Sequence, residues 1–270
     1  MPIAPSPSPF PVPPSPALLA WKVLIDPAGR PGTENMGLDQ ALLDDVDHRG
    51  DVAYLRLYRW NPPCLSFGRN EPTLSRYDRS EIERLGVDVV RRPTGGRAVW
   101  HDDEVTYAVA APVAAFGCLR DSYHAIHERL ARALRALDVD ATLAPPGARP
   151  GSLSAGACFA QPVGGEVLVR GRKVVGSAQV RQGSAFLQHG SILLGGSQDL
   201  VARVSRERAR VTNATSLSEV LGRRVAFEEA ASAIVDRWLG SDERWGGEDA
   251  TPLPPCPRSV FADPSWTWRR

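Results

Sequence analysis

Strand-like segments arrive in runs with only a few helices between them, which predicts an α+β domain with helices packed on a mixed or antiparallel β-sheet. One strongly amphipathic helical segment at 123–137, and no internal repeat or linker inside residues 20–240, support a single domain of that class. With 270 residues, the chain can bury one large core or two modest ones.

The elements follow in order. Residues 1–16 are a Pro/Ser segment that cannot build a core, and the stretch 1–18 is read as a disordered tail. Globular patterning starts near Trp21. Asn35 is placed to cap a helix in which Leu38, Ala41, Leu42 and Val46 share a face. Residues 54–60 alternate as a half-buried strand should, and a second strand, 64–68, follows the Pro62-Pro63 break. A short helix at 79–85 leads to a strand at 87–91, a glycine-bearing turn at 94–97 and a strand at 105–111. In the helix 123–137, Tyr123, Ile126, Leu130, Leu134 and Leu137 line one face and arginines the other. After a Pro/Gly/Ser-rich loop at 145–157, strands are predicted at 166–170, 173–181 and 185–194, joined by tight turns. Ser216 and Glu219 form a capping-box pattern for a short helix stopped by Gly222, and a last helix ends at Gly240. The Trp- and Pro-rich stretch 246–270 shows no period and is read as irregular, leaving 19–245 as the catalytic domain.

Composition excludes several classes. A net charge of +1 gives no global attraction to nucleic acid or to an anionic membrane. No apolar run is long enough to cross a bilayer, and no signal-peptide pattern opens the chain. The four cysteines (Cys64, Cys118, Cys158 and Cys256) are widely spaced without a CxxC pair, so free thiols and a cytoplasmic location are expected. Of 32 basic residues only Lys22 and Lys173 are lysine. A lysine kept in an arginine background is suited to the one thing arginine cannot do, which is to lose its proton.

Four stretches could carry chemistry. In 91–102, two glycines after a strand let backbone N–H groups approach a ligand, flanked by Arg91, Arg92 and Arg97; a plain hairpin turn with solvated arginines has the same spacing. Cys158 follows a run of small residues that leaves its thiol approachable, whereas Cys64 and Cys118 fit inert buried thiols. Lys173 opens a strand of apolar and small residues, Val174 to Gln179, where its ammonium would be partly desolvated. Such an ammonium favours a nearby thiolate, and the neutral amine can take a proton from an incoming amine. His189 lies in the strand 185–194, where a satisfied core histidine is the common outcome. His124 and His127 lie one helical turn apart without a third ligand, so a surface placement is expected and no metal site is assigned.

Together these stretches resemble the family of lipoate–protein ligases, biotin–protein ligases and octanoyltransferases. Residues 91–102 resemble its RRxTGGxAVxHD signature, 171–179 its lysine strand, and 187–191 its L-Q-H-G-S. Asn35 to Asp39 and Tyr58 to Pro63 match weaker patterns, and the likeness spans roughly 20–240. Arg97 after the two glycines, and Cys158-Phe159 before the lysine strand, resemble the LipM-type octanoyltransferases; residues 160–165 depart from that pattern. The resemblance implies a class II synthetase-like catalytic domain that moves an octanoyl group from acyl carrier protein to a lysine of a lipoyl carrier, such as the glycine-cleavage H protein or an E2 lipoyl domain. It implies Cys158 as nucleophile and Lys173 as its partner. Substrate contacts are implied at Arg92, Thr94, Gly95, Gly96, Arg97, His101, Gly176, Ser177, Ala178, Gln179, His189 and Gly190, with backbone N–H groups at 176–178 as oxyanion donors. Passage from thioester to amide runs downhill, so neither ATP, metal nor other cofactor is implied. Arg97 and the arginines of 201–210 could meet acidic carriers, although a solvated face fits that run equally. The alternatives are an ATP-dependent lipoate–protein ligase, a transferase between two lipoyl carriers, and a non-catalytic carrier-binding protein.

Overall fold

The computed structural model describes residues 19–145, 164–206, 213–240, 243–246 and 258–269. Strand β1 (Ala20–Arg30) leads into helix α1 (Gly32–Arg49), then β2 (Val52–Trp60) and β3 (Cys64–Phe67). Helices α2 (Thr73–Arg76) and α3 (Arg79–Arg84) precede β4 (Asp88–Arg91), β5 (Val99–His101) and β6 (Glu104–Pro112). Helix α4 (Leu119–Arg135) and β7 (Ala141–Leu143) follow, then β8 (Val167–Val169), β9 (Arg172–Lys173), β10 (Val175–Gln182) and β11 (Ala185–Leu193). The remaining elements are α5 (Asp199–Val204), α6 (Leu217–Leu221), α7 (Phe227–Asp236), β12 (Arg244–Trp245), α8 (Arg258–Ala262) and α9 (Pro264–Thr267).

A six-stranded sheet in the order β10-β11-β6-β2-β1-β12 forms the centre. It is mixed: β1 pairs in parallel with β2 and β12, while β2–β6, β6–β11 and β11–β10 are antiparallel. Two three-stranded sheets, β4-β3-β5 and β7-β8-β9, flank it. This is the α+β architecture that the run of strands predicts.

Both faces of the central sheet are covered. On one, Leu55, Leu57, Tyr107, Val109 and Phe186 pack with Ile126, Leu130 and Leu134 of α4 and with Phe227 and Ile234 of α7. Each such side chain contributes about 1.5–3 kcal/mol when fully buried. On the other, Tyr54, Tyr58, Ala108 and Leu187 pack with Met36, Leu42, Leu43 and Val46 of α1. β2 is therefore buried along nearly its whole length, not half-buried as its alternation suggested. The polar member of that alternation, Arg56, is 1% exposed because α1 supplies its partners.

Ser216 accepts from the Glu219 N–H, and Gly222 ends α6 in the left-handed conformation, as the capping box predicts. Asn35 caps nothing: α1 begins at Gly32, and Asn35 donates to the carbonyls of Arg30 and Arg59. Lys173 does not open the long strand; it closes β9, and β10 starts at Val175. The stretch 246–270 contains α8 and α9, not only irregular chain. Asp263 caps α9, with Pro264 in its first turn, and Arg91 clamps it. The buried Arg91 guanidinium donates to the carbonyls of Trp266, Thr267, Gly68 and Glu71, and the Trp266 indole returns a bond to the Arg91 carbonyl. The proposed tail at 1–18 lies outside the described residues.

Candidate active site

Antiparallel pairing brings the signature segments together. In the β10–β11 register Gly176 faces Ser191, Ser177 faces Gly190 and Ala178 faces His189. These residues line a pocket with about 320 Å³ of empty space, open to solvent. Arg92 and His101 from the glycine-turn region line it too, as do Met36, Tyr58, Trp60, Val99 and Thr106. Of the residues expected at the site, Arg92, His101, Gly176, Ser177, Ala178, His189 and Gly190 therefore share one cavity.

The turn at 94–97 is held from beneath. Arg92 Nη2 donates to the carbonyls of Gly95 (3.1 Å) and Arg97 (2.9 Å), and its Nη1 donates to the Ser66 carbonyl and hydroxyl. Gly96 sits at φ +90°, which favours glycine. Gly68 makes a further demand, since a Cβ there would lie 2.7 Å from the Gly96 carbonyl carbon. Arg92 thus builds the turn from a buried position, and is not one of the solvated arginines of the simple hairpin reading.

Thr94 joins the turn to β11. Its hydroxyl lies 2.6 Å from His189 Nε2, and His189 Nδ1 lies 2.9 Å from Asp39 Oδ2. Burial lowers the His189 pKa against the pull of Asp39, so the neutral ring donates to Asp39 and accepts from Thr94. Asp39 also receives Arg56 Nη1 at 2.8 Å and the Tyr58 hydroxyl at 2.9 Å. Burial acts to raise the Asp39 pKa, but His189 and Arg56 together outweigh it and hold the carboxyl below its usual range. Beside this chain, His101 bonds Glu104 (2.8 Å) and Ser66 (2.6 Å) and stacks on Trp60, with ring centroids 4.1 Å apart. Gln179 faces away from the cavity lining, donating to Ser122 and Gln188.

Lys173 is buried and its Nζ lies 2.7 Å from Glu166 Oε1. Its charge, after burial itself, helps hold the His127 pKa down to about 3. His127 is fully buried, contrary to the surface placement expected, and its Nε2 lies 2.8 Å from the Ser177 hydroxyl. Cys158 lies outside the described residues, so its distance from Lys173 is not part of the geometry. Cys256 lies outside them as well. Cys64 is buried, which with Asp88 pushes its thiol pKa well up, while Cys118 is exposed at the start of α4, contrary to expectation. Of the arginines at 201–210, Arg203 pairs with Glu81 (3.1 Å) and Arg206 approaches Asp78 (3.8 Å). Among the described residues, no group of three or more His, Cys, Asp or Glu is placed to hold a metal ion, and no helix is long and apolar enough to cross a membrane.

Sequence reasoning missed Asp39, Glu166 and His127 as parts of this site. Asp39 lay inside a weakly matching motif, while Glu166 and His127 gave no local signal and are recruited by tertiary pairing.

With β10 and β11 of the mixed sheet lining one cavity together with Arg92 and His101, the chain belongs to the lipoyl protein ligase A/B catalytic domain family, which it matches over residues 31–238. Among curated relatives, it is 39% identical over 219 residues to octanoyltransferase LipM of Carboxydothermus hydrogenoformans, covering 80% of this chain and 78% of the relative. It is 33% identical over 232 residues to octanoyltransferase LipM of Bacillus subtilis, covering 79% and 83%. Among solved structures, the Thermoplasma acidophilum protein Ta0514, a putative lipoate protein ligase with bound lipoic acid, superposes with a TM-score of 0.68 at 18% identity, covering 93% of this chain and all of that one. Lipoate-protein ligase A bound with ATP gives 0.65 at 21% identity, covering 81% and 83%. These two establish the shared fold.

Proposed function

We propose that the protein is an octanoyltransferase that moves an octanoyl group from acyl carrier protein to a lysine of a lipoyl carrier, through a thioester on Cys158. The observation that carries this reading is the similarity to octanoyltransferases over about four-fifths of the chain, at 33–39% identity. The catalytic unit is assigned to 19–245, which contains the family match, and a cytoplasmic location suits carrier-protein substrates.

In the first half-reaction the Cys158 thiolate attacks the octanoyl thioester, forming a new C–S bond as the carrier-protein sulfur departs. Backbone N–H groups at 176–178, on the edge strand β10, are the proposed donors to the oxyanion. Lys173 gives its proton to the departing sulfur and becomes an amine. In the second half-reaction the carrier lysine attacks the acyl-enzyme, a C–N bond forms, and the C–S bond to Cys158 breaks. Lys173 takes the proton that the incoming amine releases, and Glu166 stabilises the restored ammonium. The first step exchanges one thioester for another and the second runs downhill from thioester to amide, so neither ATP nor metal is required.

Two features support Cys158 as the nucleophile. The Ala144 N–H bonds the Glu166 carbonyl (2.8 Å) and the Gly165 N–H bonds the Ala144 carbonyl (2.9 Å). Ala144 and Gly165, which stand on either side of Cys158 in the sequence, are therefore held next to Glu166, the ion-pair partner of Lys173. The arginine after the two glycines by which the chain resembles LipM-type octanoyltransferases is also present, at Arg97.

The test compares donors with a lipoyl domain or H protein as acceptor. Octanoyl-acyl carrier protein is expected to support amide formation without ATP. Transfer only from free lipoate or octanoate plus ATP, with Cys158→Ser active, would assign a ligase instead. Transfer only from an octanoylated lipoyl carrier would assign an amidotransferase.

A further inference from the structure

Beside the glycine turn, an exposed loop carries positive charge that the chain does not neutralise. The N–H of the exposed Arg69 donates to the Thr94 carbonyl (2.8 Å), and Arg269 Nη2 donates to the Arg69 carbonyl (2.6 Å). Arg269 also lies over the Trp266 ring, 4.3 Å from its centroid. Neither guanidinium pairs with a carboxylate among the described residues, although Arg79, Arg84 and Arg203 each pair with Glu81 or Glu83 at 2.7–3.1 Å. Glu71, in the same loop, is buried and already bonded by the Tyr77 hydroxyl (2.6 Å) and the Gly68 N–H (3.1 Å). The buried Arg91 guanidinium registers the crowding. Burial first, and then Arg269 and Arg92, hold its pKa down to about 10.

The turn itself adds donors. Arg92 takes the carbonyls of Gly95 and Arg97, whereas the N–H groups of Gly95 and Gly96 meet no acceptor among the described residues, and Gly96 is exposed. Unpaired N–H groups of a glycine turn are ready donors to an anion. The turn also stands between the cavity and Arg69. On one side, a Cβ at Gly96 would lie 3.8 Å from the Cβ of Ala178, which lines the cavity. On the other, Gly68 packs so closely that a Cβ there would lie 2.7 Å from the Gly96 carbonyl carbon. We infer that Arg69 and Arg269, with the Gly95 and Gly96 N–H groups, hold the phosphodiester of the phosphopantetheine arm that carries the octanoyl thioester. The inference rests on the transferase reading above and deepens it by naming where the charged end of the donor is held. In an octanoyl thioester of acyl carrier protein, the phosphodiester lies at the far end of the pantetheine from the sulfur. It therefore belongs at the rim, with the acyl chain in the cavity. Guanidinium groups match phosphate oxygens in shape and charge, and Arg269 lies outside the span 31–238 shared with the family.

Binding and transfer test this separately, both on the full-length protein. In phosphorus-31 NMR titrations, 4′-phosphopantetheine without an acyl group should bind Arg69→Ala about 10-fold more weakly than wild type, as for one lost charge-assisted hydrogen bond. Arg69→Lys should keep most of the affinity, and Arg84→Ala, which removes an exposed arginine paired with Glu81, should bind as wild type does. Equal affinity in wild type and Arg69→Ala would overturn the inference. Transfer to a lipoyl domain is then timed with octanoyl-phosphopantetheine and octanoyl-pantetheine as donors. The ratio of their kcat/KM values should favour the phosphorylated donor, and should fall about 10-fold in Arg69→Ala and in Arg269→Ala. An unchanged ratio would overturn the phosphate assignment; if use of octanoyl-acyl carrier protein still falls, the arginines meet the carrier protein's acidic surface instead. If neither thioester yields octanoylated lipoyl domain while phosphopantetheine binding still depends on Arg69, the transferase reading fails and the donor-arm assignment with it. The anion site would then stand for another phosphate ester such as ATP, whose binding the same titration reads.

Discussion

Replacing Asp39 by asparagine removes the charge on which three parts of the site converge, while nearly preserving shape. Asp39 is fully buried and its Oδ1 lies 2.8 Å from Arg56 Nη1, on a side chain only 1% exposed. Without the carboxylate, Arg56 keeps the Asn35 carbonyl and side chain, which are neutral, and Asp26 at 3.9 Å, which is partly solvated. Breaking a buried ion pair from one side costs about 3–5 kcal/mol, and the residual Asp26 charge places this case near the lower end, about 3 kcal/mol. For a chain of this size that corresponds to a melting temperature lower by roughly 6–12 °C. Urea unfolding followed by circular dichroism measures it, with Asp26→Asn as a control expected to cost less than about 1 kcal/mol. Octanoyl transfer should fall as well, because an amide cannot hold His189 Nδ1–H as the carboxylate does, and His189 locates Thr94. A loss from Asp39→Asn no larger than that from Asp26→Asn would refute the idea that this cluster anchors the site.

Acid stability offers a second check. His127 and His189 have pKa values lowered in the folded state, His127 from 6.5 to about 3. The unfolded chain therefore binds more protons below about pH 6.5, and stability should be full above that pH and fall on acidification, with His127 contributing about 1.4 kcal/mol per unit and His189 acting in the same direction. Urea midpoints compared at about pH 7.5 and about pH 5 should show this, with a shallower slope in His127→Gln; a flat profile would contradict the burial of these rings. Gly68→Ala should displace the turn at 94–97, because its Cβ would press on the Gly96 carbonyl carbon at 2.7 Å, so transfer should be lost with the fold retained. Full activity in that variant would mean the turn does not shape the pocket. Glu166→Gln should destabilise the protein by about 3–5 kcal/mol, as for any buried pair broken from one side, and a change under about 1 kcal/mol would show the pair to be solvated in solution.

Much of the fold was legible because periodicity reports burial directly. The stripe of Ile126, Leu130 and Leu134 gave α4, and the capping box gave α6. The alternation in β2 misled because it could not reveal that α1 covers the polar face, turning Arg56 into a buried residue. Asn35 looked like a cap because its chemistry suits one, yet the structure uses the same amide to tie α1 to the ends of β1 and β2. The cavity lining was legible where its residues are contiguous, as in Gly176 to Ala178 and His189 to Gly190. The site was illegible where one residue is brought in by packing. His127 reads as a surface histidine among arginines, and only the approach of β10 to α4 supplies Ser177. Glu166 is a lone acid at a loop end until β8 and β9 pair and set it against Lys173.

Acyl transfer through the sulfur at position 158 is the step on which the proposed reaction turns. Brief mixing of the protein with octanoyl-acyl carrier protein, followed by intact-mass and peptide mass spectrometry, reads this directly. One octanoyl group is expected on Cys158, labile to hydroxylamine, absent from Cys158→Ser and discharged when a lipoyl domain is added. An octanoylated lipoyl domain produced by Cys158→Ser at the wild-type rate would contradict it.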